Sequence, residues 1–190
     1  MGTLAPILLA ACGNPLACDD AFGPLVARRV AQAAVPQLEV VDLGLNPAGL
    51  LHCLQGRQAL IIVDAAVAPD AEVGKVLDLD YRSAQRPQLL SDQTWSTHGL
   101  GFSSQLAMAE SLGWLPQKVR LIVLTIQAPA LGSPLSTQAA AAVPKAVETV
   151  LAWVRRWRED CLAPDPGPPG PSDPGLPGNT EENHVQRIKS

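Results

Sequence analysis

No stretch of this 190-residue sequence approaches the roughly 20 consecutive apolar residues that a membrane span requires, so membrane insertion is not expected. Basic residues do not dominate either. Lys and Arg number 14 against 18 Asp and Glu, a formal net charge of −4. That balance argues against a nucleic-acid partner, which needs a clustered basic surface. No Lys or Arg precedes the first apolar run and no clear cleavage site follows it, so a secretory signal is not expected. The run reads instead as a core strand. Only four cysteines occur, Cys12, Cys18, Cys53 and Cys161, at irregular spacing and without a C-x-x-C pair or a zinc-ribbon arrangement. Reduced thiols in a cytoplasmic protein are the expectation. Cys12 and Cys18 do flank a turn of interest, but nothing in their spacing supports a redox pair. Neither G-x-G-x-x-G nor a Walker A loop is present, so a nucleotide has no phosphate cradle. No G-x-S-x-G elbow marks Ser96, Ser103 or Ser104 as a nucleophile.

What is present is an alternation of strand-like and helix-like segments, in a chain long enough for one domain with a sizeable core. Leu4–Cys12 reads as the first strand and Pro24–Ala34 as the first helix. Asp19 or Asp20 is placed to cap that helix, with Pro24 in its first turn. Leu38–Leu43 reads as a second strand, Pro47–Leu54 as a short helix and Ala59–Val63 as a third strand. Lys75–Leu79 alternates more strongly, as a strand at a sheet edge would. Leu100–Leu112 is expected to be helical and Val119–Thr125 to be a strand. Ser136–Trp157 carries Val143, Val147, Val150, Val154 and Trp157 at helical spacing. Pro144 inside it predicts a kink or a delayed start. The alternation predicts a single α/β domain of three layers, a mostly parallel twisted sheet with helices on both faces. Near Cys161 the composition shifts to Pro and Gly and then to polar residues. Residues 1–161 are therefore expected to form the domain and 162–190 a disordered tail, which leaves His184 without a role.

In an open α/β sheet, chemistry gathers at the carboxyl ends of the strands. Asp19 and Asp20 fall in the turn after the first strand, bracketed by Gly13 and Gly23. One carboxylate suffices as a cap, and the other is free for something else. Asp64 follows five apolar residues, where a strand either leaves the core or faces a ligand cleft. His98 lies in the polar stretch Trp95-Ser96-Thr97-His98-Gly99. A lone loop histidine is ordinarily a surface residue, and its interest comes from the company of the two carboxylates. Carboxylate oxygens with an imidazole nitrogen suit a borderline divalent ion such as nickel or zinc. Three protein ligands would leave coordination positions open, as catalytic sites do. His52 reads as a core or surface residue of a short helix, and Asp78, Asp80 and Asp92 as solvated.

These segments resemble, in order, those of the [NiFe]-hydrogenase maturation endopeptidases. Gly13-Asn14-Pro15-Leu16 with Asp19-Asp20-Ala21-Phe22-Gly23 is similar to the family's opening signature. Val41-Asp42-Leu43-Gly44, Leu60-Ile61-Ile62-Val63-Asp64-Ala65, Ser96-Thr97-His98 and Val119-Arg120-Leu121-Ile122-Val123 follow in register with it. The resemblance covers residues 4–158. It departs at Ala11, Leu45 and Thr125, where the family has Gly, Thr and Gly, and these positions bear on cleft shape. The resemblance implies an endopeptidase that removes a C-terminal extension from the precursor of a hydrogenase large subunit once nickel is inserted. It assigns Asp20, Asp64 and His98 to contact with nickel presented by that precursor. One carboxylate then activates a water as general base, or the metal polarises the carbonyl. A non-catalytic, nickel-dependent chaperone docking on the same precursor is the alternative, and a nucleotide-binding α/β protein a third reading.

Overall fold

The computed structural model describes residues 4–67, 72–83, 102–127, 131–132 and 134–162. Five strands and four helices follow in order: β1 (Ile7–Ala11), α1 (Phe22–Gln32), β2 (Leu38–Asp42), α2 (Leu50–Leu54), β3 (Ala59–Val67), β4 (Val76–Asp80), α3 (Phe102–Ser111), β5 (Lys118–Ile126) and α4 (Thr137–Leu162). Short 3-10 turns, Cys18–Ala21 and Pro47–Gly49, lead into α1 and α2. The sheet order is β2-β1-β3-β5-β4. All neighbours are parallel except the β4–β5 pair.

Both faces of the sheet are covered, which is why β1 and most of β3 read as unbroken apolar runs. Ile7, Leu9, Ala11, Ile61 and Val63 face α1 and α4, meeting Val26, Val30, Val143, Val150 and Val154. Leu8, Ala10, Leu60 and Ile62 point the other way, onto Leu50 and Leu54 of α2 and Phe102 and Leu106 of α3. Each such fully buried aliphatic side chain contributes about 1.5–3 kcal/mol. The expected three-layer α/β architecture is the one observed.

Several local expectations change. α1 begins at Phe22, two residues before Pro24, and no side chain caps it. The preceding 3-10 turn supplies the partner instead, as the Phe22 N–H donates to the Asp19 carbonyl. β3 continues four residues past Val63, because β5 pairs with it as far as Val67↔Ile126. β4 is indeed an edge strand, and it runs antiparallel. Asp78 and Asp80 on it are not simply solvated. Arg120 on β5 lies 3.6 Å from each carboxylate, and the Trp153 indole N–H donates to Asp78 at 2.8 Å. α4 passes through Pro144 without ending. Pro144 and Ala140, whose carbonyl loses its helical partner, are both exposed, so water takes the freed acceptor. The expected tail, 162–190, starts one residue too early, since α4 runs through Leu162, and the rest of it lies outside the described residues.

α1 is seated by a glycine. A Cβ on Gly23 would lie 2.0 Å from the Cys12 carbonyl oxygen and 2.9 Å from that of Val63. The backbone of α1 therefore approaches the end of β1 and the middle of β3 as closely as glycine allows. Gly23→Ala should lower stability by about 3 kcal/mol, measured as a shift of the urea midpoint at unchanged slope.

Candidate active site at the carboxyl edge of the sheet

The chain leaves β1 toward β2 on one side and returns to β3 on the other. The strand order thus reverses between β1 and β3, and there a crevice opens at the carboxyl ends of an α/β sheet. β1 stops at the pair Ala11↔Val63 while β3 continues. Asp64 is the first residue of β3 beyond that pair. Sequence alone left open whether the strand leaves the core at Asp64 or faces a ligand cleft there. The residue is inside β3 and 5% exposed, with Ala65 and Ala66 also buried beyond it.

Asp20 comes from the other side of the crevice, on the turn after β1. It is 1% exposed, and its Oδ2 accepts the Asn14 N–H at 2.8 Å. The turn is braced by its own backbone: Ala17 N–H donates to the Asn14 carbonyl and Asp20 N–H to the Ala17 carbonyl, both at 3.0 Å. Gly13, at φ +144°, lets the turn fold back, since a Cβ there would lie 2.0 Å from the Asp20 carbonyl oxygen.

Asp19 does not cap α1 either. Its carboxylate reaches the start of α4, 117 positions away. There it accepts the Ser136 N–H at 2.7 Å on Oδ1 and the Ser136 hydroxyl at 2.9 Å on Oδ2. Ser136 Oγ in turn accepts the Ala139 N–H at 3.1 Å, capping α4. Asp19 thereby ties the turn that carries Asp20 to the longest helix. The adjacent acidic pair divides the work: Asp19 anchors and Asp20 faces the crevice. No local signal identifies Ser136 as the partner.

The electrostatics are those of crowded like charge. Burial, with the Asp20 charge adding to it, pushes the Asp64 carboxyl well above its ordinary range, while the Ala65 N–H at 2.8 Å on Oδ1 pulls the other way. Cys12, buried at the end of β1, has its thiol pushed far up by burial and then by Asp64, Asp42 and Asp20. It is a neutral thiol. Cys12, Cys18 and Cys53 are all unbridged. Asp42, at the end of β2, is a third carboxylate at this edge and accepts the Gly44 N–H at 2.9 Å. Among the described residues no three His, Cys, Asp or Glu side chains form a metal-binding group. Asp20 and Asp64 lie near enough that the Asp20 charge adds to the upward shift at Asp64. His98, Asp92 and Ser96 lie outside the described residues. His52 is exposed on α2, and Ser103 and Ser104 sit in the first turn of α3.

The raised Asp64 value fixes a sign. The folded chain holds this proton at higher pH than the unfolded chain, whose carboxyl titrates near the ordinary 3.8. The associated stability is complete below that ordinary value and is lost as pH rises through the raised one. Asp64→Asn, always neutral and still able to accept the Ala65 N–H, should therefore melt above the wild type at neutral pH. Thermal unfolding across a pH series should show the gap closing as the solution is acidified.

Comparison with known proteins identifies relatives of the whole fold. A family model described as hydrogenase maturation protease matches residues 24–153, a span that includes Asp64 and His98 and begins four residues after Asp20. The chain is 30% identical over 148 residues to the hydrogenase expression/formation protein HoxM of Cupriavidus necator, covering 76% of this chain and 72% of HoxM. With HupD of Rhodobacter capsulatus the identity is 27%, covering 80% and 72% of the two chains. The solved structure of the hydrogenase maturating endopeptidase HybD from E. coli superposes with a TM-score of 0.69 at 27% identity, over 80% of this chain and 93% of that one. HybD from Thermococcus kodakarensis gives 0.63 at 25% identity, over 77% and 97%. The chain therefore belongs to the hydrogenase maturation protease family.

Proposed function

We propose that this protein is an endopeptidase that removes a C-terminal extension from a [NiFe]-hydrogenase large-subunit precursor after nickel insertion, in the cytoplasm. Nickel already seated in the precursor is its recognition element, met by Asp20, Asp64 and His98. The observation that carries the reading is the burial of Asp20 and Asp64 together at the strand-order reversal. Two carboxyl groups within electrostatic reach repel one another unless a proton or a cation relieves them, and their oxygens suit a divalent ion. The position of α3 supports a role for His98. Glu110 in the last turn of α3 lies 3.6 Å from Arg82, which follows β4 at the amino edge of the sheet. Phe102 therefore opens α3 at the carboxyl edge, and His98 precedes it by four residues.

In this reading the carboxylates act twice. They hold a loaded precursor so that its scissile bond lies beside them, and such positioning supplies several kcal/mol of the rate enhancement. One carboxylate then takes a proton from water as the oxygen adds to the peptide carbonyl, and that proton passes to the departing amine. No serine or cysteine nucleophile is required. Cys12, a buried neutral thiol, is poorly suited to be one.

Intact-mass analysis of nickel-loaded and nickel-free precursors tests this directly. The wild type should remove a C-terminal peptide from the loaded form only. Asp20→Asn and His98→Ala should each slow that cleavage by roughly 10²–10⁴-fold while circular dichroism shows an intact fold. An unchanged mass for a verified loaded precursor would overturn the endopeptidase and leave a docking module.

A further inference from the structure

The same turn that holds Asp20 also forms one end of a groove of about 590 Å³. The groove descends between the outer side of α1 and β2. Pro24, Arg28 and Ala31 line it from the helix, Val40 and Asp42 from the strand, and Leu135 closes it from the segment before α4. Ala21, the neighbour of Asp20, marks its upper end. Above that end stand two of the most exposed leucines of the chain, Leu16 at 74% and Leu131 at 78%, joined by the Gly132 N–H donating to the Leu16 carbonyl at 3.0 Å.

Three features define what fits. First, β2 is a terminal strand and pairs only with β1 among the described residues, which leaves its outer edge beside the groove without a strand partner there. An edge of this kind, with half-buried Leu38, Val40 and Val41, takes up an extended peptide as an added strand. Second, the walls are chiefly apolar. Third, Arg28 is exposed and forms no ion pair among the described residues. It lies about 9 Å of helical rise below the start of α1, a distance that about three extended residues span.

We infer that this groove holds the chain segment immediately beyond the scissile bond of the precursor, extended along β2, with apolar side chains against α1 and an acidic side chain facing Arg28. This rests on the endopeptidase reading and adds where the extension lies and what chemistry it carries. It also gives Leu16 and Leu131 a role, as the apolar lip over which the segment enters.

Arg28 and Ala31 are exposed, so Arg28→Glu and Ala31→Glu should leave the fold unchanged. Each should raise KM for the nickel-loaded precursor about tenfold while kcat stays within about twofold, and Arg28→Lys should recover most of the loss. Neutralising the acidic residue of the extension should raise KM for the wild type and not for Arg28→Glu. Hydrogen exchange supplies a readout independent of cleavage: amides of Leu38–Asp42 should exchange more slowly when precursor is added. Unchanged KM in both variants with unchanged exchange at β2 would overturn the groove assignment while cleavage by the wild type stands. Slow exchange at β2 in the free protein would overturn it too, by giving the edge to this chain or a second copy. If nothing is cleaved, the endopeptidase reading falls, and exchange at β2 still decides whether the segment docks there.

Discussion

The structure is organised around a carboxyl group that the fold buries without a counter-charge. Asp64 is 5% exposed, and no Lys or Arg pairs with it among the described residues. An isolated ionised carboxylate in such a place is costly, and the protein meets that cost by favouring the neutral acid. Other buried or half-buried charges here are treated differently. Arg57, whose side chain is 2% exposed, donates to the Cys53 and Ala5 carbonyls and to Glu39 at 2.6–2.8 Å. Arg120 has two carboxylates and lies 3.9 Å over the Trp153 ring. Those charges are satisfied and structural. Asp64 is left with its own neighbouring N–H, and this contrast within one molecule distinguishes a site from a brace.

Holding a second carboxylate beside the first takes more than the crevice. The turn bearing Asp20 would relax away from like charge if it were free to move. Gly13 folds it back, Gly23 presses α1 onto the carbonyls of Cys12 and Val63, and Asp19 fastens it to Ser136. These constraints come from backbone and hydrogen-bond geometry, and none of them neutralises charge. They keep the two carboxyl groups within electrostatic reach of one another, and in the free protein the proton held on Asp64 relieves the pair. In the proposed function, a metal borne by the partner would take the place of that proton.

Much of this was legible in the sequence, for a physical reason. A sheet covered on both faces demands unbroken apolar strands, and β1 and β3 announce themselves as such. Asp20 and Asp64 stand out because each follows such a run. What was not legible depends on pairing across the chain. β3 reaches Val67 because β5 runs beside it, so an aspartate that interrupts the apolar pattern is still inside the strand. β4 is antiparallel because its partner is β5, which no local pattern encodes. Asp19 resembles a helix cap because acidic residues before a helix commonly are; its partner Ser136 is brought near only by the completed fold. Pro144 reads as a kink or a delayed start, and the exposure of Ala140 accounts for a helix that runs through it from Thr137.

In the proposed function, the groove and the carboxylates face different properties of one partner. The edge of β2 can pair with any extended backbone, so its selectivity is limited to side-chain fit and to the cation at Arg28. The carboxylate pair responds to charge and has no means of reading a sequence. Joined through the 3-10 turn Cys18–Ala21, they become two contacts on one chain, and the second forms at the effective concentration set by the first. On that reading, a precursor with the right extension and no metal would keep only the groove, and one carrying metal with a foreign extension would keep only the carboxylates. Weakness in each contact alone is then an advantage, because discrimination comes from requiring both. A preformed, tightly metal-binding centre would lose that property, since it would no longer sense whether the partner had been loaded.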